Sequence, residues 1–172
     1  MICPHCGTDN IDGIDACDEC GQSLTGLHEP GSDLERSITQ HPVRALVPKK
    51  AVTVSASVSV RGAVQEMVRQ RIGCLLIEQN GRIIGIFTER DVLNRVLPDR
   101  SALDRPVSEF MTSSPATICL TDSIAYAMHA MSVGGYRHLP VAGAGGESAG
   151  IISARDLLRF LSIRFADIRD NA

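Results

Sequence analysis

The sequence predicts an α/β (α+β) fold made of two copies of a strand–helix–strand–strand–helix unit, preceded by a small cysteine-bearing module. Three observations predict it. The chain of 172 residues repeats its own pattern at an offset of 64. Each copy sets a helical stripe of apolar residues between short aliphatic strands. Four of the six cysteines fall in two Cys-x-x-Cys-Gly knuckles at the very start of the chain.

In chain order, residues 1–24 hold the knuckles, Cys3 to Gly7 and Cys17 to Gly21. Residues 25–41 form a linker with a short helix. The polar stretch from Gln22 to Gly31 contains Gly26 and Pro30, and Ser32 followed by Glu35 has the spacing of a capping box for a helix ending near Gln40. Residues 42–103 are the first copy and residues 104–172 the second, which ends in a long helix. Val43 to Leu46 matches Val107 to Phe110, and the strand Val52 to Val54 matches Ala116 to Ile118. The helices follow. One carries Val60, Ala63, Val64 and Met67, the other Ile124, Ala127, Met128 and Met131, each the i, i+3, i+4, i+7 pattern of a half-buried helix.

The next strands are Cys74 to Glu78 and His138 to Ala142. Asn80-Gly81 predicts a tight hairpin turn in the first copy, and Gly143 to Ser148 a longer one in the second. Gly85 to Asp91 then matches Gly150 to Asp156 at an offset of 65, and each copy closes in a helix, Glu89 to Val96 and Ala154 to Ile168. One copy would leave an apolar sheet face bare, whereas two packed sheet to sheet bury both.

Four thiolates at the knuckle spacing can close a tetrahedron around one soft divalent ion. Cys3, Cys6, Cys17 and Cys20 are therefore the candidate metal ligands. A closed four-sulfur shell leaves no position for substrate, so the ion is structural; zinc is the default and iron the lesser alternative. Disulfides or free thiols are the bland reading of the same residues. His5 lies inside a knuckle but is not expected to ligate. Cys74 and Cys119 are expected to be small core residues.

The first 35 residues carry eight acidic residues and no Lys or Arg, while the remainder has a net charge of +5. An acidic module is ill suited to gripping a phosphate backbone, which argues against nucleic acid as its partner. No secretory signal and no apolar run of roughly 20 residues is present, so a cytoplasmic protein with no membrane partner is expected. The sequence shows no nucleophile elbow, no Walker lysine and no HExxH, and its histidines are scattered; a non-catalytic protein is expected. In the C-terminal helix, Leu157, Leu158, Phe160, Leu161 and Phe165 are more apolar residues than one buried face needs, which predicts a homodimer contact.

The Gly-hydrophobic-x-Thr/Ser-x-x-Asp phrase closing each copy (Gly85 to Thr88 and Asp91; Gly150 to Ser153 and Asp156), together with Tyr136 to Val141, resembles a tandem pair of CBS domains, the arrangement called a Bateman module. The resemblance covers about residues 42–165, and the N-terminal part is similar to a short zinc ribbon. It implies two repeats packed as a pseudo-two-fold pair, clefts between them for adenosine-containing ligands (AMP, ADP, ATP, S-adenosylmethionine or a dinucleotide), and regulation of a separate protein partner.

On that resemblance, Asp91 and Asp156 would take the two hydroxyls of a ribose through charge-assisted bonds. Thr88 and Ser153 would cap the helix and reach ribose or phosphate, Arg137 and His138 would donate to phosphate, and Thr53, Val54, Thr117 and Ile118 would wall the base. The bland reading of each Thr/Ser–Asp pair is a helix cap without ligand. Because Gly73 and Cys74 stand where the second copy has Arg137 and His138, the Asp156 cleft is expected to hold phosphate better. A docking protein with empty clefts, using the ribbon as its interaction surface, is the competing function.

Overall fold

A computed structural model describes residues 1–11, 14–24, 33–143, 145 and 147–170. The linker from Thr25 to Gly31, the cap expected at Ser32, and Ala144 and Gly146 of the second hairpin loop lie outside the described residues. The elements are α1 (Asp33–Gln40), β1 (Thr53–Ser55), α2 (Val60–Gln70), β2 (Cys74–Gln79), β3 (Arg82–Thr88), α3 (Glu89–Asp91), β4 (Thr112–Ser113), α4 (Ile124–Gly134), β5 (His138–Ala142), β6 (Ser148–Ser153) and α5 (Ala154–Asp170). Short 3-10 turns cover Val43–Leu46, Arg100–Asp104 and Val107–Glu109.

Chain packing groups these elements into two compact units. One comprises Met1–Pro48, Cys119–Arg137 and Ile152–Ala172; the other comprises Lys49–Ile118 and His138–Ile151. The units interleave the two sequence copies because each copy's lead-in is bonded to the other copy's helix start. In the first unit, Val43 N–H donates to Asp122 O (2.7 Å), Arg44 N–H to Leu120 O (3.0 Å) and Ile124 N–H to His41 O (2.9 Å). In the second unit the same bonds recur 64 residues away: Val107 to Val58 (2.8 Å), Ser108 to Ala56 (3.3 Å) and Val60 to Arg105 (2.9 Å). Ser59 caps α2 and Ser123 caps α4, each accepting an amide three residues on, at 3.2 and 3.0 Å.

The second unit contains the four-stranded sheet β1-β2-β3-β4. Strand β1 runs parallel to β2 with Val54 opposite Ile77, and β2 runs antiparallel to β3. The turn between β2 and β3 places Asn80 at φ 52° and Gly81 at φ 78°, the two positive values that a type I′ turn requires. Alternation along β2 sends Leu75 and Ile77 into a core with Val60, Ala63, Met67, Phe87, Val96 and Val107, and Cys74 and Leu76 into a second cluster with Ile86. Both faces are therefore covered.

The first unit packs α1 against both α4 and α5. Ile124, Ala127 and Met131 of α4 are buried, as are Leu157 and Phe160 of α5. His41 ties α1 to α5: its Nδ1 lies 2.7 Å from Ser37 O, and its ring meets Phe160 edge-on at 5.5 Å. Leu158, Ile163 and Phe165 remain exposed on α5.

Three expectations change. The strand expected at Ala116–Ile118 is a single parallel bridge, Ile118 to Val141. In the first copy the ladder is extended by Leu76 N–H donating to Val52 O (3.0 Å), but the residue equivalent to Leu76 is Pro140, which has no N–H. The helix expected over Glu89–Val96 is one α turn followed by a π turn, Val92–Val96, closed by Leu97 N–H on Val92 O at 2.9 Å. Cys119 is exposed rather than in the core, because it sits in the turn before α4, where its amide donates to Asp122 Oδ2 at 2.7 Å.

Cys74 is buried, and burial is the main cause pushing its thiol up to about 12, with the Glu89 charge second. Site-resolved alkylation at pH 8, read by mass spectrometry, is expected to label Cys119 quickly and Cys74 only on unfolding; equal labelling of the folded chain would contradict the placement. Because the folded pKa lies above the ordinary value of a free thiol, this thiol's stabilising effect is complete below that ordinary value and is lost as pH rises towards about 12. Phe87 is fully buried whereas Phe165 is 57% exposed. Phe87→Ala is expected to cost about 3–5 kcal/mol in urea unfolding and Phe165→Ala within about 0.5 kcal/mol, both at protein concentrations low enough to exclude self-association.

Candidate functional site

The knuckles form a cluster of four sulfurs. Each is built alike, 14 residues apart: Cys3 N–H donates to Thr8 O (2.8 Å) and Cys17 N–H to Gln22 O (2.7 Å), while Gly7 and Gly21 return their amides to Cys3 O and Cys17 O, both at 2.9 Å. The glycines turn at φ 76° and 69°, which aims the paired sulfurs inward. Asn10, nearly buried, joins the knuckles by accepting from Asp18 N–H (3.1 Å) and donating to Thr8 O (2.8 Å).

The Sγ atoms of Cys3, Cys6, Cys17 and Cys20 all lie within 4.8 Å of one another, with Cys3–Cys20 at 3.7 Å and Cys6–Cys17 at 3.5 Å. A tetrahedral ion with thiolate bonds of ~2.3 Å sets its sulfurs ~3.8 Å apart, so the residues fit a closed four-thiolate site. A disulfide needs ~2.05 Å, and all six cysteines are free thiols. Around the cluster the Cys20 amide is the main cause drawing Cys17 down to about 6, and burial pushes Cys20 up to about 12.

His5 is not in the cluster. Its ring lies 4.8 Å from that of Tyr126, tilted at 57°, and meets His129 edge-on at 4.3 Å, seating the first knuckle on α4. Burial is the main cause lowering its pKa.

The two Thr/Ser-x-x-Asp phrases fold into matching strand–helix junctions. At the first, Asp91 Oδ2 accepts from Thr88 N–H (2.9 Å) and Thr88 Oγ1 (2.7 Å). At the second, Asp156 Oδ2 accepts from Ser153 N–H (2.8 Å) and Ser153 Oγ (2.6 Å). The same carboxylate oxygen is anchored in both, so the direction of the other is fixed. Asp91 Oδ1 faces Thr112 Oγ1 and Arg95 Nη1, both at 3.5 Å, and the residue is buried; Asp156 is half-buried. Each helix donates its first amide back to the residue before the first strand of the preceding hairpin: Glu89 to Gly73 O (3.1 Å), before β2, and Ala154 to Arg137 O (2.9 Å), before β5.

The other residues singled out by sequence fall as follows. Thr53 is exposed and Val54 half-buried on β1, where they line a cavity of about 460 Å³ with Ser55, Ala56, Ser57, Glu78, Gln79 and Asn80. That cavity takes in neither Thr88 nor Asp91. Thr117 is exposed and Ile118 buried. Arg137 is exposed in the same unit as Asp156. His138 lies in the unit that holds Asp91, its Cε1 3.5 Å from where a side chain on Gly73 would begin.

Sequence reading missed Arg95 and Thr112 beside Asp91. The i, i+4 spacing of Asp91 and Arg95 was a usable signal; nothing local pointed to Thr112, which arrives from the lead-in of the other copy. It also missed the seat that Tyr126 and His129 offer to His5.

The CBS domain family profile matches the chain twice, at residues 43–98 and 107–163. An uncharacterized 17.7 kDa protein of Acidianus ambivalens is 32% identical over 120 residues, 69% of this chain and 72% of that protein. A CBS domain-containing protein of Arabidopsis thaliana is 34% identical over 125 residues, 71% of this chain but only 22% of that protein, so the chain spans about a fifth of that relative. Among solved structures, a CBS-domain-containing protein from Agrobacterium tumefaciens superposes with a TM-score of 0.65 at 31% identity, covering 69% of this chain and 98% of that one. A CBS domain protein from Pyrobaculum aerophilum, complexed with AMP, superposes with a TM-score of 0.63 at 26% identity, covering 71% and 98%. Both closing phrases fall inside the matched segments, and with their paired junctions the chain belongs to the CBS domain family as a tandem pair.

Proposed function

We propose that the chain is a non-catalytic regulatory module that binds adenosine-containing nucleotides of the AMP, ADP or ATP type at its two junctions and signals occupancy to a separate protein, in the cytoplasm. The observation that carries this reading is the pair of aspartates held in one geometry. A carboxylate whose Oδ2 is fixed by an amide and a hydroxyl presents Oδ1 in a set direction, and such a group suits the vicinal hydroxyls of a ribose. The relative complexed with AMP supports the ligand class. Thr53, Val54, Thr117 and Ile118 are proposed to meet the base, Thr88 and Ser153 to support the sugar, Arg137 to approach the phosphate on the Asp156 side, and His138, beside Gly73, to approach the 5′ substituent on the Asp91 side.

At 100 times its dissociation constant, a nucleotide is expected to stabilise the fold by about 2.7 kcal/mol. Asp156→Asn keeps an oxygen for the cap but loses the charge, and is expected to weaken AMP roughly 10–100-fold in thermal-shift titration. Full AMP stabilisation in that variant would place the ligand elsewhere.

The exposed Ile2 and Ile11 on the acidic knuckle module favour a second reading, a docking protein. That reading gains if no adenine nucleotide shifts the melting temperature.

The four-sulfur cluster is proposed to hold one structural zinc. Elemental analysis is expected to find about one zinc per chain, and Cys17→Ser is expected to lose most of it. Iron in the freshly purified chain would overturn the zinc assignment.

The exposed Leu158, Ile163 and Phe165 of α5 are proposed to pair in a homodimer. Light scattering at micromolar concentration is expected to give twice the chain mass, and Phe165→Asp the single mass; a single mass for the unaltered chain would remove the proposal. No helix among the described residues is long and apolar enough to cross a membrane.

A further inference from the structure

The two junctions match in how they hold their aspartates but not in the charge that surrounds them. Each helix has already donated its first amide, Glu89 to Gly73 O and Ala154 to Arg137 O. That amide is spent, and the side chains at the four positions so joined differ in charge. In the second copy they are Arg137, exposed, and Ala154, which carries no charge. In the first copy they are Gly73, which has no side chain, and Glu89.

The Glu89 carboxylate folds back over Gly73. A Cβ at position 73 would stand 3.4 Å from its Cδ and Oε2 and 3.5 Å from His138 Cε1. The glycine thus leaves room for a carboxylate and an imidazole to converge on one point, the carboxylate belonging to the residue two before Asp91 in sequence. The negative charge is also felt at Cys74, whose thiol it helps burial to push up. The arginines nearest in sequence to the two phrases do not reverse the contrast. Arg90 and Arg155 occupy matching positions in both copies, and Arg95 is engaged by Asp91 at 3.5 Å. Arg71 stands exposed at the end of α2.

We propose that Glu89 makes the two half-sites unequal: the Asp91 side accepts an adenosine whose 5′ substituent is neutral or cationic and rejects a 5′ phosphate, while the Asp156 side, with Arg137, takes the phosphate. This rests on the nucleotide-binding reading above. A carboxylate beside the sugar repels a phosphate dianion and attracts a sulfonium or ammonium, and the exchange of Gly73 and Glu89 for Arg137 and Ala154 inverts that preference.

The test is calorimetric titration of the full chain with adenosine, with AMP as the anionic probe and with S-adenosylmethionine as the cationic probe. The unaltered chain is expected to bind about one AMP, lost in Asp156→Asn, and to bind the cationic probe at a site lost in Asp91→Asn. Glu89→Gln and Glu89→Ala are expected to open a second AMP site and to weaken the cationic probe roughly tenfold. Glu89 is exposed, so neither change threatens the fold. Two equal AMP sites in the unaltered chain, or a single AMP site persisting in both Glu89 variants, would overturn the inequality while leaving nucleotide binding intact. Failure of all three probes to bind the unaltered chain would overturn the parent reading and this one together.

Discussion

The amides of Val43 and Arg44 end on carbonyls of Asp122 and Leu120, and those of Val107 and Ser108 on carbonyls of Val58 and Ala56. Each copy's helix start thereby depends on the other copy's lead-in. A buried amide without its acceptor costs roughly 1–3 kcal/mol, so a single copy would leave several such groups to water and its apolar face bare. The same exchange brings Thr112, from the second copy's lead-in, to Asp91 of the first. The site chemistry is therefore downstream of the stitching: the carboxylate that defines the first junction is oriented by its own helix cap and enclosed by a residue from the other repeat.

Much of this was readable because period and spacing are local properties. The offset of 64 placed both helices, and their stripes picked out Val60, Ala63, Val64 and Met67, and Ile124, Ala127, Met128 and Met131; all are buried except Val64 and Met128, which are half-buried. Asn80-Gly81 made its turn because only residues tolerant of positive φ fit there. The errors have non-local or single-atom causes. Pro140 looks like any strand residue until one asks for its amide. Cys119 has apolar neighbours, but its backbone is drawn into a turn by Asp122. The π turn after Asp91 leaves no mark in a hydrophobic pattern, since the chain still buries Val96.

At the candidate site the caps were legible and the surroundings were not. Thr88–Asp91 and Ser153–Asp156 are three-residue relationships, so spacing alone fixed them. Which junction His138 faces depends on how strands run, and the structure places it beside Gly73, in the unit of the first aspartate. In sequence Glu89 is an ordinary helix-start acid, at a position where acids are common for their favourable dipole interaction. Its direction over Gly73 gives it a second meaning. The knuckle module shows a similar gap: the sulfur cluster followed from spacing, whereas the seat of His5 on Tyr126 and His129 required three-dimensional proximity.

The reciprocal lead-in bonds do not depend on the two halves being covalently joined. Every one of them joins a residue to a partner in the opposite half at equivalent positions, so two unlinked copies of one half could form the whole set in trans. Carrying both halves on one chain lets them differ: one holds Arg137 and Ala154 where the other holds Gly73 and Glu89.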